Sequence, residues 1–476
     1  GIFIQPRVDV RQLFHQNQHF LPGQGLETDH RREQVLVLPG KMPLRQPGTQ
    51  YRQRQHWRMH SFCILERKQV IKLMLKFELK KIFSKRINQV LLAAVLVVTI
   101  IYSGMAIGSI SYTDEEGQDH TGIEAGRLLA EDINQWKGEL TAEKISEVIN
   151  DYKTLSAEYP DGIPDTEYGK TIQSYYDIYD FVIGIMTPDS EWDESVVYQL
   201  SDEQLQDIYT IYQEKKKKMA EEYGTTPEKR NYLESIYEKI EIPLSFEAKD
   251  SWDTMTMYAQ TYVLLMAVII GFLAAGIFSG EFRPGTGDVF LAAKYGRSKA
   301  IKNKIIAGIL VSTVVYWIGV GLLSFISFAV MGTSGFFTPY QIDDPYSIYV
   351  MTYGEYYLLI LVGGYIATMF CAALTMLVTV KMHTPNLAVC IPFFLLCMMP
   401  FIARVLPAFD AFFNLLPTVL TNIFNAVRTP ILFQIGSFVF RQISFLMFLY
   451  IVLFIVLLPF IYRSYSRYGI KKKIKL

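Results

Sequence analysis

Charge and cysteine are both scarce in this 476-residue chain. Only 19 % of the residues are Asp, Glu, Lys or Arg, whereas 50 % are hydrophobic. Because a soluble domain carries roughly 25 % charged residues, the composition points away from an ordinary soluble protein. The four cysteines include none between residues 111 and 257, which excludes a disulfide framework in that region. They are Cys63, Cys371, Cys390 and Cys397.

Several motifs of enzyme chemistry are also missing from the sequence. No G-x-x-x-x-G-K-[ST] phosphate loop occurs, so this chain has no Walker-type site for ATP. There is no H-E-x-x-H, G-x-S-x-G or C-x-x-C pattern and no recognisable nucleic-acid-binding module. We therefore predict no catalytic residue, no cofactor site and no metal site on this chain. Acids are nearly absent from the long apolar runs, which argues against a proton-relay transporter.

The charge that is present is strongly segregated. Residues 111–257 contain 34 of the 46 acidic residues but only 13 Lys and Arg. Apolar residues recur there at three- and four-residue spacing, and Ser201 with Gln204 forms a capping-box signature. We predict an acidic, mainly helical domain over 111–257, in which the lysine run 215–218 is a solvated helix face.

Six apolar stretches are long enough to cross a membrane, which takes about 20 helical residues. The sequence thus predicts an all-α polytopic membrane protein with six transmembrane helices, whose large domain lies between the first and second. The stretches are 88–110, 258–279, 305–331, 356–380, 387–406 and 443–461.

The placement of Lys and Arg predicts the orientation. Basic clusters precede the first stretch, lie between the second and third, and follow the sixth, whereas residues 332–355 contain no Lys or Arg. Since cytoplasmic loops carry the excess of basic residues, both termini are expected in the cytoplasm. The protein is then a multi-pass component of the cell (plasma) membrane, and the acidic domain is extracellular.

The remaining segments complete the predicted domain plan. Residues 1–73 have no defensible period and are expected to be a disordered or mis-assigned N-terminal extension, with Met74 as the start. Residues 74–110 hold an amphipathic interfacial helix (75–86) and the first span. Residues 258–476 hold the other five spans. Within them, residues 407–442 are too apolar for a free loop and predict a re-entrant segment of two short helices.

The loop 281–304 is the most informative segment. Pro284 and Gly285 interrupt the helix that leaves the second span, and Thr286 is suited to begin a new short helix. Six Lys and Arg lie in the loop against Glu281 and Asp288. The pattern predicts a short helix held at the membrane surface, where a partner protein can dock.

The string Glu281-x-x-x-Gly285-Thr286, followed by Arg297 and Lys304, resembles the permease subunit of ABC-2-type ATP-binding cassette exporters. Six spans, internal termini, an external domain after the first span and an apolar re-entrant segment are similar to that family as well. The resemblance covers residues 74–476. A Pro is frequent shortly before the Arg in that family, whereas this chain has Lys294-Tyr295-Gly296.

The resemblance implies a function and a set of partners. The loop would dock on a separate ATPase subunit that binds and hydrolyses ATP, with Glu281 locking the loop and with Arg297 and Lys304 orienting it. Two permease chains, identical or related, would form the path through a bacterial membrane lipid bilayer. The substrate stays open among peptides, antibiotics, lipids and cations.

Two alternatives remain at this point. Arg297 and Lys304 also fit plain positive-inside anchors. The whole chain also fits a membrane sensor or signalling adaptor whose external domain binds a ligand.

Overall fold

The computed structural model describes residues 73–187, 193–279, 295–383 and 385–467. Within these ranges the chain is mainly helical and contains six helices long and apolar enough to cross a membrane. This confirms the predicted helical class and the six candidate spans. They are span 1 (Arg86–Ser109), span 2 (Asp250–Ser279), span 3 (Lys299–Met331), span 4 (Tyr353–Met382), span 5 (Leu387–Val405) and span 6 (Gln442–Ser466).

The bundle has two ends with different connections. The loop face is the end at which span 2 ends and span 3 begins. The domain face is the opposite end, at which span 1 ends and span 2 begins. A helix over residues 73–83 (α1) precedes span 1 on the loop face, where the sequence predicts an amphipathic helix.

Spans 2 and 4 form the centre of the bundle and pack most extensively against each other. Their apolar surface is mostly buried, whereas spans 1, 5 and 6 leave most of theirs exposed. Spans 2 and 4 can approach each other closely because a glycine lies at their contact. A Cβ on Gly364 of span 4 would collide with Val263 of span 2. The Tyr316 hydroxyl of span 3 donates to the Leu361 carbonyl of span 4 at 2.6 Å.

Span 5, which contains Pro392 and Pro400, is an interrupted helix. Pro392 lies inside the helix Pro385–Phe393, and a π-helical turn (Phe394–Met398) follows before Met399–Val405 completes the span. The Pro392 ring occupies the space beside Gly271 of span 2, where a Cβ would clash with it.

The domain on the domain face is built from short helices and two small strand pairs. Its helices carry apolar residues on one side; α3 (Ala142–Glu158) buries Ile145, Val148 and Ile149. The predicted capping box at Ser201 is confirmed. The other helices are α2 (Ile123–Ile133), α4 (Asp165–Glu167), α5 (Gln173–Met186), α6 (Ser195–Gln199), α7 (Asp202–Gln206), α8 (Ile208–Tyr223) and α9 (Pro227–Tyr237).

The strand pairs are antiparallel. Strand β1 (Ser111–Thr113) pairs with β2 (Asp119–Thr121), and β3 (Gly138–Glu139) pairs with β4 (Ser245–Phe246). Span 2 begins at Asp250, eight residues before the predicted 258, because the helix continues through Asp253 into the domain. The domain thus passes into span 2 without a linker.

The segment 407–442 contains a β-hairpin in addition to short helical turns. Strands β5 (Leu432–Ile435) and β6 (Phe438–Arg441) form the hairpin, which the prediction of two short helices did not include. Gly436 occupies its turn with a φ of 62°. The preceding turns are Pro407–Phe409, α10 (Asp410–Phe413), Pro417–Leu420 and α11 (Phe424–Arg428).

Candidate functional site

Three of the five residues predicted to couple the chain to an ATPase, Glu281, Gly285 and Thr286, lie outside the described residues. The other two, Arg297 and Lys304, lie at the beginning of span 3 on the loop face. Their contacts show how the chain is fastened where the loop rejoins the bundle.

Lys304 belongs to a buried ion pair. Its side chain is 0 % exposed, and its Nζ donates to Glu78 Oε2 at 2.9 Å. Glu78 lies on α1 and is itself buried. Removing one partner of such a pair leaves an uncompensated buried charge, which is strongly unfavourable. The pair therefore fastens α1 to the first turns of span 3, and in this conformation Lys304 offers no surface to another protein.

Arg297 is held by the end of span 6. Its Nη1 donates to the Ser466 carbonyl at 2.9 Å. Close by, the ring of Phe278 in the last turn of span 2 packs against Tyr465, with 5.3 Å between ring centroids. Span 6 thus contacts both the end of span 2 and the approach to span 3.

The corner between α1 and span 1 is joined to the same region. The Lys85 ammonium donates to the Gly276 carbonyl of span 2. Asn88 Nδ2 donates to the Ile82 carbonyl at 2.8 Å, which closes the turn between α1 and span 1. We call α1 and the loop-face ends of spans 1, 2, 3 and 6, joined by these contacts, the loop-face frame.

The frame holds the end of span 2 and the beginning of span 3 against the same neighbouring helices. Span 2 runs from this frame to the domain face as one uninterrupted helix of 30 residues.

A second charged cluster lies where span 2 meets the domain. Lys249 directly precedes span 2, and its side chain is only 5 % exposed. Its Nζ lies 3.1 Å from Asp177 Oδ1 and 2.9 Å from Asp343 Oδ1. Asp177 belongs to α5 and Asp343 to the segment 332–352 between spans 3 and 4. One ammonium group therefore joins span 2, the domain and that segment. We call this cluster the domain junction.

The electrostatics of the domain junction keep Lys249 charged. Burial by itself would lower the lysine pKa, but the carboxylates of Asp177 and Asp343 outweigh it and raise the pKa well above its ordinary value. The charge of Lys249 also acts on the neighbouring Asp180, but it does not outweigh the effect of burial there. Burial, followed by the negative charges of Asp177 and Asp343, raises the pKa of Asp180 to about 7, and its buried Oδ1 has no hydrogen-bond partner.

Hydrogen bonds hold the segment 332–352 beneath the domain. Trp252 Nε1 of span 2 donates to the Thr333 carbonyl at 3.2 Å. The Tyr346 hydroxyl donates to the Ile185 carbonyl at 2.8 Å, and the Tyr237 hydroxyl donates to the Tyr346 carbonyl at 3.0 Å. Because this segment leads directly into span 4, these hydrogen bonds connect the domain to both central spans.

Sequence reasoning missed Glu78, Lys249 and Lys216. Glu78 shares a helical face with Leu75 and Ile82, so its spacing indicated burial, although its charge suggested the opposite. Lys216 is 6 % exposed despite lying in the run assigned to solvent; it follows Tyr212 by four residues, which places both on one side of α8. For Lys249 no periodic signal exists, because its partners come from distant segments.

Among residues 73–187, 193–279, 295–383 and 385–467, no group of three or more His, Cys, Asp or Glu side chains is arranged to hold a metal ion. Searches against protein-family models and against curated proteins find no match to this chain.

Proposed function

We propose that this chain is the membrane-spanning permease subunit of an ABC-2-type exporter, which moves its substrate with ATP hydrolysed by a separate subunit. The observation that carries the proposal is the loop-face frame. The buried ion pair of Lys304 and the half-buried hydrogen bond of Arg297 fix the chain where the loop 281–304 rejoins the bundle. A docking loop must be mounted in this way if it is to transmit force.

The arrangement of spans supports the same proposal. Of the six candidate spans, spans 2 and 4 form the centre and the other four lie around them, and a compact domain is inserted between spans 1 and 2. With the loop face in the cytoplasm, the loop is available to a soluble ATPase, and the domain is external. Two copies of the chain, or one copy and a related chain, would enclose the path of the substrate.

In the proposed mechanism, this chain changes conformation in response to a partner subunit and catalyses no reaction itself. ATP binding brings the ATPase subunits together and displaces the docked loop. The loop-face frame passes the displacement to spans 2 and 3, and span 2 passes it to the domain junction at Lys249. Because Asp343 precedes span 4 and pairs with Lys249, the two central spans respond together.

Affinity purification of the full-length chain from its native membrane tests the proposal. We expect an ATPase with a Walker phosphate loop to be retained by the wild type and lost from the variant Glu281→Ala with Arg297→Glu. Lys381→Glu is the matched control, because it reverses an exposed positive charge in the last turn of span 4 without touching the frame. The control should retain the ATPase.

Two outcomes would contradict the proposal. If the double variant retains the ATPase as fully as the wild type, the loop is not the docking site. If the wild type retains no ATPase and its reconstituted vesicles show no partner-dependent ATP hydrolysis, the sensor or adaptor alternative becomes the better explanation.

A further inference from the structure

The domain carries a cavity that the permease mechanism does not use. It has a volume of about 500 Å³ and lies between α8 and α9. Ligand pockets range over roughly 300–1,000 Å³, so a small organic molecule would fit. Among the described residues, its lining includes Lys216, Lys217 and Ala220 of α8 and Glu234, Tyr237 and Glu238 at α9.

Lys216 is the unusual member of this lining. Only 6 % of its surface is exposed to solvent. This burial lowers the pKa of its ammonium group. A lysine ammonium has three donor positions. The hydrogen bond that Lys216 makes, to the Tyr237 carbonyl, is long at 3.4 Å. The Tyr212 ring lies 4.6 Å from Nζ and adds a cation–π contact.

No carboxylate of the described chain compensates this buried cation. None of the ion pairs among the described residues includes Lys216, and none includes the other three charged residues of the cavity. A buried ammonium without an anionic partner is unfavourable. A carboxylate that entered the cavity would supply the missing charge and accept from the free donor positions.

The rest of the lining restricts what else the ligand carries. Glu234 and Glu238 lie four residues apart, on the α9 side of the cavity, so they repel phosphate and other multiply charged anions and attract an amine. Ala220, Tyr237 and Ile240 add apolar surface between the two kinds of charge. With two lysines and two glutamates, the lining has no net charge, which suits a ligand that has none either.

We propose that the cavity between α8 and α9 binds a small zwitterion of the peptide class, with its carboxylate on Lys216, its amine at Glu234 and Glu238, and an apolar side chain between them. The site does not rest on the permease function, because it lies in the domain and involves neither the loop nor the loop-face frame. The two proposals therefore fail independently.

Isothermal titration calorimetry of the full-length chain in lipid nanodiscs, with the dipeptide leucyl-leucine as the probe, tests the site. We expect saturable binding to the wild type and at least tenfold weaker binding, about 1.4 kcal/mol, to Lys216→Met. Methionine retains most of the packing of the lysine stem. Lys218→Met is the matched control, because Lys218 is exposed and does not line the cavity; its affinity should equal that of the wild type.

Blocked peptides separate the two ends of the ligand. Leucyl-leucine amide should bind the wild type at least tenfold more weakly than the free acid. The variant Glu234→Gln with Glu238→Gln should weaken binding of leucyl-leucine but not of N-acetyl-leucyl-leucine. These glutamates lie at the partly exposed rim, so we expect the glutamate variant to fold. A circular dichroism spectrum shows whether Lys216→Met folds. If it does not, the glutamate variant and the blocked peptides still test the site.

Three results would overturn the proposal: no binding of leucyl-leucine at millimolar concentration, equal binding to Lys216→Met and the wild type, or equal binding of the free acid and the amide.

Discussion

Individual buried charges determine how the two ends of this bundle are fastened. The Lys304–Glu78 pair on the loop face has no solvent to compensate a missing partner. Lys304→Met should therefore lower the free energy of unfolding by about 3–5 kcal/mol, because it leaves the Glu78 carboxylate buried alone. Chemical denaturation of the purified chain in detergent measures the loss.

Two further variants define the cause of that loss. Lys302→Met removes an exposed lysine two residues away and should change the stability by no more than about 0.5 kcal/mol. Lys304→Met combined with Glu78→Leu should recover most of the loss, since it removes both charges. If the double variant is as unstable as the single one, the pair is not what fastens α1 to span 3.

A second residue, Asp180, predicts a pH dependence. Its pKa is about 7 in the folded chain against an ordinary value of 3.8, because it is buried beside Asp177 and Asp343. Between these two pH values the folded state holds a proton that the unfolded state has released, so this residue makes stability fall as pH rises from about 4 to about 7. Lys249 keeps its charge throughout this range.

Thermal unfolding of the wild type and of Asp180→Asn at a series of pH values measures this contribution. The melting temperature of the wild type should fall more steeply over that window than that of Asp180→Asn, which cannot ionise. Parallel curves for the two proteins would show that Asp180 does not titrate there.

At the scale of helices, spans 2 and 4 come close together at Gly364, where span 4 lacks a side chain. A Cβ at Gly364 would collide with Val263 of span 2 and approach the Tyr316 hydroxyl of span 3. Valine is stiff at χ1 and cannot move aside. Gly364→Ala should thus destabilise the chain by about 1–3 kcal/mol, measured by thermal unfolding in detergent.

Gly321→Ala is the matched control for this substitution. Gly321 also lies within a long span, span 3, but a Cβ there meets open space. The control should be neutral or slightly stabilising, because alanine is the better helix former. Equal losses for the two variants would mean that backbone flexibility, not packing against Val263, sets the requirement for glycine.

The helices also show how far the sequence could predict this fold. Runs of about 20 apolar residues identify a span without any knowledge of its neighbours, and all six were found to within eight residues at each end. The hairpin Leu432–Arg441 was not found, because its aromatic residues read equally well as part of a short apolar helix. Its Gln434 accepts from the Thr226 hydroxyl at 2.8 Å, across 208 residues of sequence, and no local pattern contains that contact.

The candidate sites were predictable to a smaller degree for the same reason. Arg297 and Lys304 stand out in the sequence by their charge and their place after Gly285, but their partners do not. Glu78, on α1, pairs with Lys304 across 226 residues. Lys249 joins Asp177 and Asp343, which lie 72 residues before it and 94 residues after it in the sequence. Pairings of this length are fixed by tertiary packing, not by periodicity.

At the scale of the whole molecule, the proposed function depends on which face of the bundle lies in the cytoplasm. Basic residues collect at the loop face, where α1 and the start of span 3 lie, while residues 332–352 on the domain face contain no Lys or Arg. Because basic segments remain in the cytoplasm, the loop face should be cytoplasmic and the domain external. The proposed permease function depends on this, because a soluble ATPase must reach the loop from the cytoplasm.

Single cysteines introduced at exposed positions on opposite faces test the sidedness. In a background with the four native cysteines replaced, Lys218→Cys on α8 should react with a membrane-impermeant maleimide in intact cells. Arg467→Cys, directly after span 6, should react only after the cells are lysed. The reverse pattern would place the domain in the cytoplasm and the loop 281–304 outside the cell. A soluble cytoplasmic ATPase could then not reach the loop. Labelling of both sites in intact, leak-free cells would mean that spans 1 to 6 do not all cross the membrane.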